Sequence, residues 1–160
     1  NKISRNVSVK LYNDLNCAGL THFAPIGYNN LAFEGTFYGN DKIISNLSIE
    51  NAGLGTVGLF SYLPEGASVE RLTLDNCTIS GGNSSNNNIG GLVGTLSGGT
   101  ISNCIIKNSS ISCKNDTQSP TVGGLVGRSY SRSVLHSWLT ARLYFNPGVT
   151  VAIVNNFNAI

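Results

Sequence analysis

The sequence predicts an all-β protein, a parallel β-helix (β-solenoid) of about four coils with three short strands in each 33-residue repeat. A glycine-apolar phrase recurs at a fixed interval, since Gly58, Gly91 and Gly124 are each 33 positions apart. A fixed period of this size is typical of solenoids, in which each repeat covers the apolar face of its neighbour. Between these phrases, apolar and polar residues alternate over short stretches, which favours strands with one buried face. We expect a right-handed winding, although the repeat itself does not fix the hand.

The composition is that of one domain with a largely uncharged surface. Charged residues make up 11% of the 160-residue chain, well below the roughly 25% usual for soluble domains. The formal net charge of +2 is too small and too scattered to predict binding to nucleic acid or to an anionic membrane. No run approaches the roughly 18 apolar residues that span a bilayer, so we expect no membrane insertion. The chain begins at Asn1 without an initiator Met, and we expect it to be part of a longer protein.

Residues 1–56 form a lead-in to the repeats. Its first part alternates apolar and polar residues, which predicts a strand whose buried face consists of Ile3, Val7, Val9 and Leu11. Further along, glycines punctuate a run of aromatic residues, which fits short strands separated by tight turns. We expect these aromatic side chains to fill the first layer of the core.

Three repeats follow, over residues 57–89, 90–122 and 123–142, so the solenoid is expected to span residues 1–142. Residues 143–160 are expected to form an irregular last coil or a C-terminal cap, unless the natural protein continues. The glycine-apolar phrase supplies the structural positions of each repeat. They are Gly58, Leu59 and Phe60 in the first copy, Gly91, Leu92, Val93 and Gly94 in the second, and Gly124, Leu125, Val126 and Gly127 in the third. We interpret the glycines as requirements of a turn, because the spacing of a dinucleotide-binding loop is absent.

A second repeated phrase predicts how the coils lie on one another. It reads SNLSIEN at 45–51, ERLTLDN at 70–76 and SNCIIKN at 102–108, with a degenerate copy at 135–141. Because strand side chains alternate between faces, the third and fifth residues of each copy should point inward. Leu47 and Ile49 would then lie under Leu72 and Leu74.

The last residue of each full copy is asparagine, at Asn51, Asn76 and Asn108. Asparagine tolerates the left-handed backbone that a corner requires, and stacked side-chain amides hydrogen-bond along a column. We therefore predict that these three residues lie above one another at one corner of the solenoid.

The repeated phrases resemble the GLUG-motif family, which is named for its Gly-Leu-apolar-Gly core. The resemblance lies in VGLFSYL, GGLVGTL and GGLVGRS, in the phrases between them and in the lead-in from Pro25 to Ile49, and it spans residues 9–139. It implies a secreted or surface-anchored protein of bacterial type, often a large adhesin or the non-catalytic region of an extracellular enzyme, with no catalytic residues in the repeat. The chain departs from the pattern at Ser61, where a glycine is usual, and after Trp138.

The sequence favours a structural and binding function over catalysis. We predict a non-catalytic module of a secreted or cell-surface protein, serving as an adhesin segment or as a rigid spacer, and without a cofactor. The longest polar stretches, loops 81–88 and 113–120, are expected to protrude at the same edge of successive coils, where loops commonly carry binding surfaces. Uncharged Asn, Ser, Thr and Tyr side chains suit sugar hydroxyls, so a glycan or a host surface protein is the expected partner.

The alternative is a carbohydrate-active enzyme, a polysaccharide lyase or hydrolase built on the same fold. Such chemistry needs paired carboxylates on one face. Glu50 and Asp75 are predicted to align on neighbouring coils, but Lys107 follows at the same position, so we interpret them as a solvated charge column. Glu34 and Asp41 flank the aromatic lead-in and are the one carboxylate pair worth testing.

The cysteines and histidines predict no metal site. The four cysteines are Cys17, Cys77, Cys104 and Cys113. They form no CxxC pair, and only two histidines accompany them, which argues against structural zinc. We expect most of these cysteines to be buried reduced thiols that behave as small apolar side chains, with disulfides as the alternative. His22 and His136 are interpreted as structural or surface residues, since neither a GxSxG nor an HExxH motif is present.

Overall fold

The computed structural model is a parallel β-solenoid. It describes residues 7–28, 31–51, 54–82, 87–114, 120–130, 134–144 and 150–151. Within these residues the chain forms fifteen strands. In chain order they are β1 (Ser8–Lys10), β2 (Leu15–Asn16), β3 (Thr36–Ser45), β4 (Ser48–Asn51), β5 (Thr56–Val57), β6 (Phe60–Pro64), β7 (Ser68–Asp75), β8 (Thr78–Gly81), β9 (Asn88–Gly90), β10 (Val93–Ser97), β11 (Thr100–Cys113), β12 (Thr121–Gly123), β13 (Val126–Ser129), β14 (Val134–Tyr144) and β15 (Thr150–Val151).

The strands assemble into three sheets, one along each side of the solenoid. Sheet A contains β1, β2, β3, β4, β7, β8, β11 and β14; sheet B contains β6, β10 and β13; sheet C contains β5, β9, β12 and β15. Successive coils pair in parallel, and each turn passes through sheet A, then C, then B. Three complete turns begin at Thr36, Ser68 and Thr100, with a part-turn before and after them. The predicted parallel β-solenoid is confirmed.

The core consists of columns of apolar side chains that run along the axis. In sheet B, Val93 is paired with Phe60 below it and Val126 above it, and all three are fully buried. The first layer is aromatic, as predicted, because the rings of Phe33 and Phe37 lie 5.3 and 5.4 Å from the ring of Phe60. These contacts fill the core of the first complete turn with large rings whose edges and faces meet.

The register within sheet A differs from the predicted one. Leu47 and Ile49 do not lie under Leu72 and Leu74; Ile44 is paired with Leu74, and Ile49 is paired with Ile79. Ser45 is paired with Asp75 at the end of β7, and not with Glu70. Residues 48–51 of the phrase therefore pair with β8. Apolar and polar residues alternate in a similar way in both β7 and β8. The sequence pattern alone therefore aligned the 45–51 phrase with the wrong one of these two strands.

The glycine-apolar phrase is a corner and not a continuous strand. A bend at 58–59 divides residues 57–63 between β5 in sheet C and β6 in sheet B. The equivalent bends are at 91–92 and 124–125, so each of these corners contains two residues. The phrase therefore marks a corner whose length is constant along the described solenoid.

Close backbone approach explains the glycines at this corner. A Cβ built on Gly91 would overlap the carbonyl oxygen of Gly124 on the next coil and lie 2.6 Å from Cδ1 of Ile106. A Cβ on Gly58 would lie 2.7 Å from the backbone nitrogen of Gly94. Neither residue has a positive φ, so the requirement for glycine is steric.

The two ends of the solenoid are described in part. Ile3 lies outside the described residues; Val9 and Leu11 pack against the core as predicted, but Val7 is 49% exposed, which contradicts its predicted burial. At the other end, β14 pairs with β11, and β15 pairs with β12. The division between a 1–142 solenoid and a 143–160 cap stays a prediction. Among the described residues, no helix is long and apolar enough to cross a membrane.

The steric account of the corner predicts that Gly91→Ala destabilises the protein. Relief of the overlap requires the coils to separate locally, so we expect the free energy of unfolding to fall by about 1–3 kcal/mol. Urea denaturation measures this change. The control is Gly66→Asn, because Gly66 has a φ of 82° with no atom within 4 Å of an added Cβ, and asparagine tolerates that backbone. Equal stability of the Gly91→Ala variant and the parent chain would contradict the account.

Candidate functional site

Hydrogen-bonded asparagine side chains form a ladder at the kink in sheet A, where β7 ends and β8 begins. The residues that form it differ from the predicted ones. Asn51 is not part of it, since Asn51 ends β4 opposite Gly81. Asn46 takes its place: its side-chain amide donates to Oδ1 of Asn16 at 2.9 Å, and the amide of Asn76 donates to Oδ1 of Asn46 at 2.6 Å. The predicted column of Asn51, Asn76 and Asn108 is corrected accordingly.

The ladder continues upward through a carboxylate. The amide of Asn108 donates to Oδ1 of Asp75 at 2.8 Å. Asn46, Asn76 and Asn108 all have left-handed backbones, with φ values of 57°, 52° and 51°. Asparagine adopts this conformation more readily than most residues, so the same side chains satisfy both the kink and the bonds between coils.

The charged groups of sheet A form separate pairs, not the predicted column. Glu50 is opposite Ser80 and not Asp75, and its carboxylate lies 3.0 Å from Nζ of Lys114. Asp75 does face Lys107 as predicted, with 3.3 Å between their charged atoms. The amide of Asn108 and then the ammonium of Lys107 lower the pKa of Asp75. This carboxyl is therefore held ionised at neutral pH.

The proposed catalytic carboxylates occupy dissimilar settings. Asp41 accepts a hydrogen bond from Nε of Arg71 at 3.0 Å and a second contact from Nη2 of the same guanidinium. These bonds lower the pKa of Asp41, which suits an ion pair better than a proton donor. Glu34 is partly buried just before β3.

The cysteines and histidines do not assemble into a cluster in the described part of the chain. No group of three or more His, Cys, Asp or Glu side chains there could hold a metal ion. All four cysteines are thiols, and Cys77, Cys104 and Cys113 are buried. Burial raises the pKa of the Cys77 thiol, which makes it a poor nucleophile. His22 is exposed.

The two polar loops do leave the solenoid at the same corner. Residues 83–86 and 115–119, which contain most of each loop, lie outside the described residues. Their bases are stacked: the amide of Lys114 donates to the carbonyl of Gly81 at 2.8 Å, and that of Thr121 donates to the carbonyl of Asn87 at 2.7 Å. The bases of the two loops therefore lie at the same corner of successive coils, and the predicted protrusion of the loops lies outside the described residues.

An open groove lies beside this loop corner, on the first complete turn. Its volume is about 460 Å³, which is within the range of small-molecule sites. The residues that line it are uncharged: Gly27, Tyr28, Ala32, Leu54, Gly55, Thr56, Ser61 and Tyr62. The two tyrosine side chains are half-exposed, with 40% of Tyr28 and 36% of Tyr62 accessible.

Sequence reasoning did not find the groove. One wall comes from residues 27, 28 and 32 and the other from residues 54–56, and no repeated phrase links these two segments. A usable signal was Ser61, already noted as a departure from glycine, because its hydroxyl donates to the carbonyl of Thr56 at 3.1 Å across the floor. A second signal is Tyr62, whose counterparts on the next two coils are Thr95 and Arg128.

Comparison with known proteins identifies the repeat. Residues 85–112 match the family described as "The GLUG motif". The chain carries the GLUG motif. The matched segment contains all of β9, the Gly91–Leu92 corner, all of β10 and most of β11, so the GLUG motif corresponds to three successive strands, one from each sheet.

Two further proteins are similar to this GLUG-containing chain. A segment of halomucin from Haloquadratum walsbyi is 35% identical over 149 residues, which cover 88% of this chain and 2% of halomucin. A crystal structure of a provisionally assigned immunoglobulin A1 protease from Bacteroides ovatus is 17% identical, with a TM-score of 0.49, and the match covers 92% of this chain and 64% of that one. The chain thus spans a small fraction of the length of its curated relative.

The asparagine ladder predicts different costs for two substitutions of the same residue. Asn76→Ala removes the side-chain hydrogen bond to Asn46. It also places alanine, which has a Cβ but no polar side chain, at a positive φ. We expect these two effects to lower the free energy of unfolding by about 2 kcal/mol. Asn76→Gly removes only the amide, and we expect a loss of about 1 kcal/mol. Urea denaturation of both variants, with exposed Asn13→Ala as control, measures the difference. A larger loss for glycine than for alanine would contradict the backbone argument.

The lowered pKa of Asp75 predicts a loss of stability in acid. A carboxyl whose pKa is lowered on folding contributes stability above its unfolded pKa, and this contribution disappears as the pH falls through its folded pKa. We therefore expect the thermal unfolding midpoint to decrease when the pH is lowered below about 4. The decrease should be less steep in the Asp75→Asn variant. Glu65→Gln, at an exposed turn, is the matched control. Identical acid profiles for Asp75→Asn and the parent chain would show that this carboxyl does not contribute.

Proposed function

We propose that the chain is a non-catalytic adhesive module of a secreted or surface-anchored protein, which presents its loop corner to a glycan. The observation that carries the proposal is the stacking of loop bases at one corner of a hydrogen-bonded solenoid. The Lys114–Gly81 and Thr121–Asn87 bonds fix the roots of successive loops at the spacing of the coils. Loops on a rigid support of this kind are a common basis of recognition.

The dimensions of the solenoid favour display over simple spacing. Successive coils are about 4.8 Å apart, so the three complete turns extend only about 15 Å along the axis. The same chain in an extended form would reach more than ten times as far. A protein that needed only length would gain little from this fold, whereas one that needed a stiff, patterned surface would gain much.

The proposed location at the cell exterior rests on three supports. The GLUG resemblance implies secreted or surface-anchored proteins. The chain is similar to a segment of halomucin and covers only 2% of it, which fits a module within a very long protein. The side chains around the loop corner are mostly uncharged, and hydroxyl and amide groups suit hydrogen bonds to sugars.

The non-catalytic part of the proposal is supported by the described carboxylates. Asp41 and Glu50 engage Arg71 and Lys114, and their pKa values are lowered by those partners. Carboxyls held ionised in this way are suited to surface ion pairs and not to general acid catalysis. The polysaccharide lyase or hydrolase remains the second candidate.

Adhesion is tested with the purified 160-residue chain immobilised on beads. We expect the beads to be retained on at least one neutral glycan surface, and to lose retention when residues 83–86 and 115–119 are both replaced by Gly-Ser segments of equal length. Far-UV circular dichroism checks that the replaced chain still forms β-structure. Retention on a glycan array and on cultured cells is the measurement.

Several outcomes would contradict the proposal. A folded chain that is retained on no glycan and no cell would favour the spacer. Retention on cells that survives glycosidase treatment but not protease treatment would favour a host protein as partner. Release of reducing sugar from a polysaccharide, abolished by Glu34→Gln or Asp41→Asn, would favour the enzyme.

A further inference from the structure

We propose that the groove between Tyr28 and Tyr62 binds a neutral saccharide and is the principal sugar-binding site of the chain. The ligand class rests on the adhesive function proposed above, but the site is separate from the loop tips. Four features of the groove support this assignment: its walls are fixed, its rings are accessible, its lining is uncharged, and it adjoins the loop bases.

The wall that contains Gly27 and Tyr28 is fixed to the solenoid by backbone hydrogen bonds. Ile26 pairs with Phe60 of β6: its amide donates to the carbonyl of Leu59 at 2.8 Å, and its carbonyl accepts from the amide of Ser61 at 2.8 Å. A turn then follows, in which Gly27 has a φ of 82° and the amide of Tyr28 donates to the carbonyl of Pro25 at 3.3 Å. Tyr28 is thus only two residues from a strand-like anchor.

The opposite wall is fixed to the next coil. The carbonyl of Leu54 accepts from the amide of Gly82 at 3.1 Å, and the carbonyl of Gly55 accepts from the amide of Asn88 at 2.6 Å. The floor is closed by the bond from the Ser61 hydroxyl to the carbonyl of Thr56. A site with both walls and its floor held before the ligand arrives loses little conformational entropy on binding.

The two tyrosines supply the chemistry that sugars need. Each presents an apolar ring face and a hydroxyl tip, and each remains more than one-third exposed although it lines a groove. The C–H face of a pyranose packs on an aromatic ring, while its hydroxyls reach the polar groups around it. The surrounding hydroxyl and backbone groups come from Thr56, Ser61 and the glycines of both walls.

Charge selects among the possible sugars. None of the eight lining residues carries a charge, so the groove offers no counter-ion to a sulfate, a uronate or a sialic acid. Burial of such a group without a partner costs free energy. A neutral saccharide is therefore preferred over an acidic one.

The groove adjoins the base of the first polar loop. In the opposite wall, the carbonyls of Leu54 and Gly55 accept hydrogen bonds from Gly82 and Asn88 of the next coil. These two residues flank loop residues 83–86. The groove therefore lies next to the base of this loop.

The test measures saccharide binding by saturation-transfer NMR and titration calorimetry on the whole chain. The probes are lactose, cellobiose and mannotriose as neutral sugars and sialyllactose as the acidic comparison. We expect at least one neutral probe to bind and Tyr62→Ala to weaken it by about tenfold or more. Tyr28→Ala should weaken it similarly, and Tyr62→Phe should weaken it less because the ring remains. Tyr12→Ala is the matched control, since Tyr12 is exposed and lies outside the groove.

Each outcome separates this inference from the proposed function. Unchanged sugar binding in Tyr62→Ala and Tyr28→Ala, with loss of binding in the Gly-Ser loop variant, would overturn the groove site and leave the adhesive function intact. Tighter binding of sialyllactose than of any neutral probe would overturn the ligand class. Absence of binding by every saccharide in solution would overturn the site even if beads adhered to cells. Thermal midpoints equal to that of the parent chain confirm that the tyrosine variants remain folded.

Discussion

Backbone hydrogen bonds between successive coils are the interaction on which the rest of the structure depends. At the glycine corner, the amide of Phe60 donates to the carbonyl of Leu92 at 2.8 Å, and the amide of Leu92 donates to the carbonyl of Leu125 at 2.9 Å. These bonds form only if equivalent backbones come within van der Waals contact, and at this corner a side chain on Gly91 would prevent it. The apolar columns follow from the same register, because a slip of one residue would turn every inward side chain toward solvent.

The kink in sheet A solves a different problem with a different residue. There the backbone must adopt positive φ at each coil, and the bonds between coils must continue through the interruption. Asn46, Asn76 and Asn108 meet both needs, since their backbones are left-handed and their amides bond to the neighbouring coil. Glycine would satisfy only the first need. The glycine corner thus requires glycine and the kink requires asparagine, although both residue types are commonly classed together as turn formers.

The sequence was sufficient for the architecture but not for the register or the groove. The 33-residue interval predicted the stacking because Leu59, Leu92 and Leu125 recur without interruption. The predicted register of the 45–51 phrase was wrong because similar apolar alternation occurs in both β7 and β8, and the phrase was aligned with residues 70–76 although Ser45 is paired with Asp75 and Ile49 with Ile79. The groove depends on the pairing of Ile26 with Phe60, a contact between segments of unrelated sequence. Long-range pairs of this kind leave no periodic trace.

The unequal lengths of the corners have a consequence for how such chains diversify. The glycine corner contains two residues on each coil, at 58–59, 91–92 and 124–125, whereas the connections from sheet A to sheet C span 52–55, 82–87, 114–120 and 145–149. Strands on both sides keep their partners despite these differences in length. Insertions and deletions at that one corner can therefore accumulate during evolution without altering the core. A lineage could change the residues displayed at this corner many times while the scaffold beneath them stays unchanged.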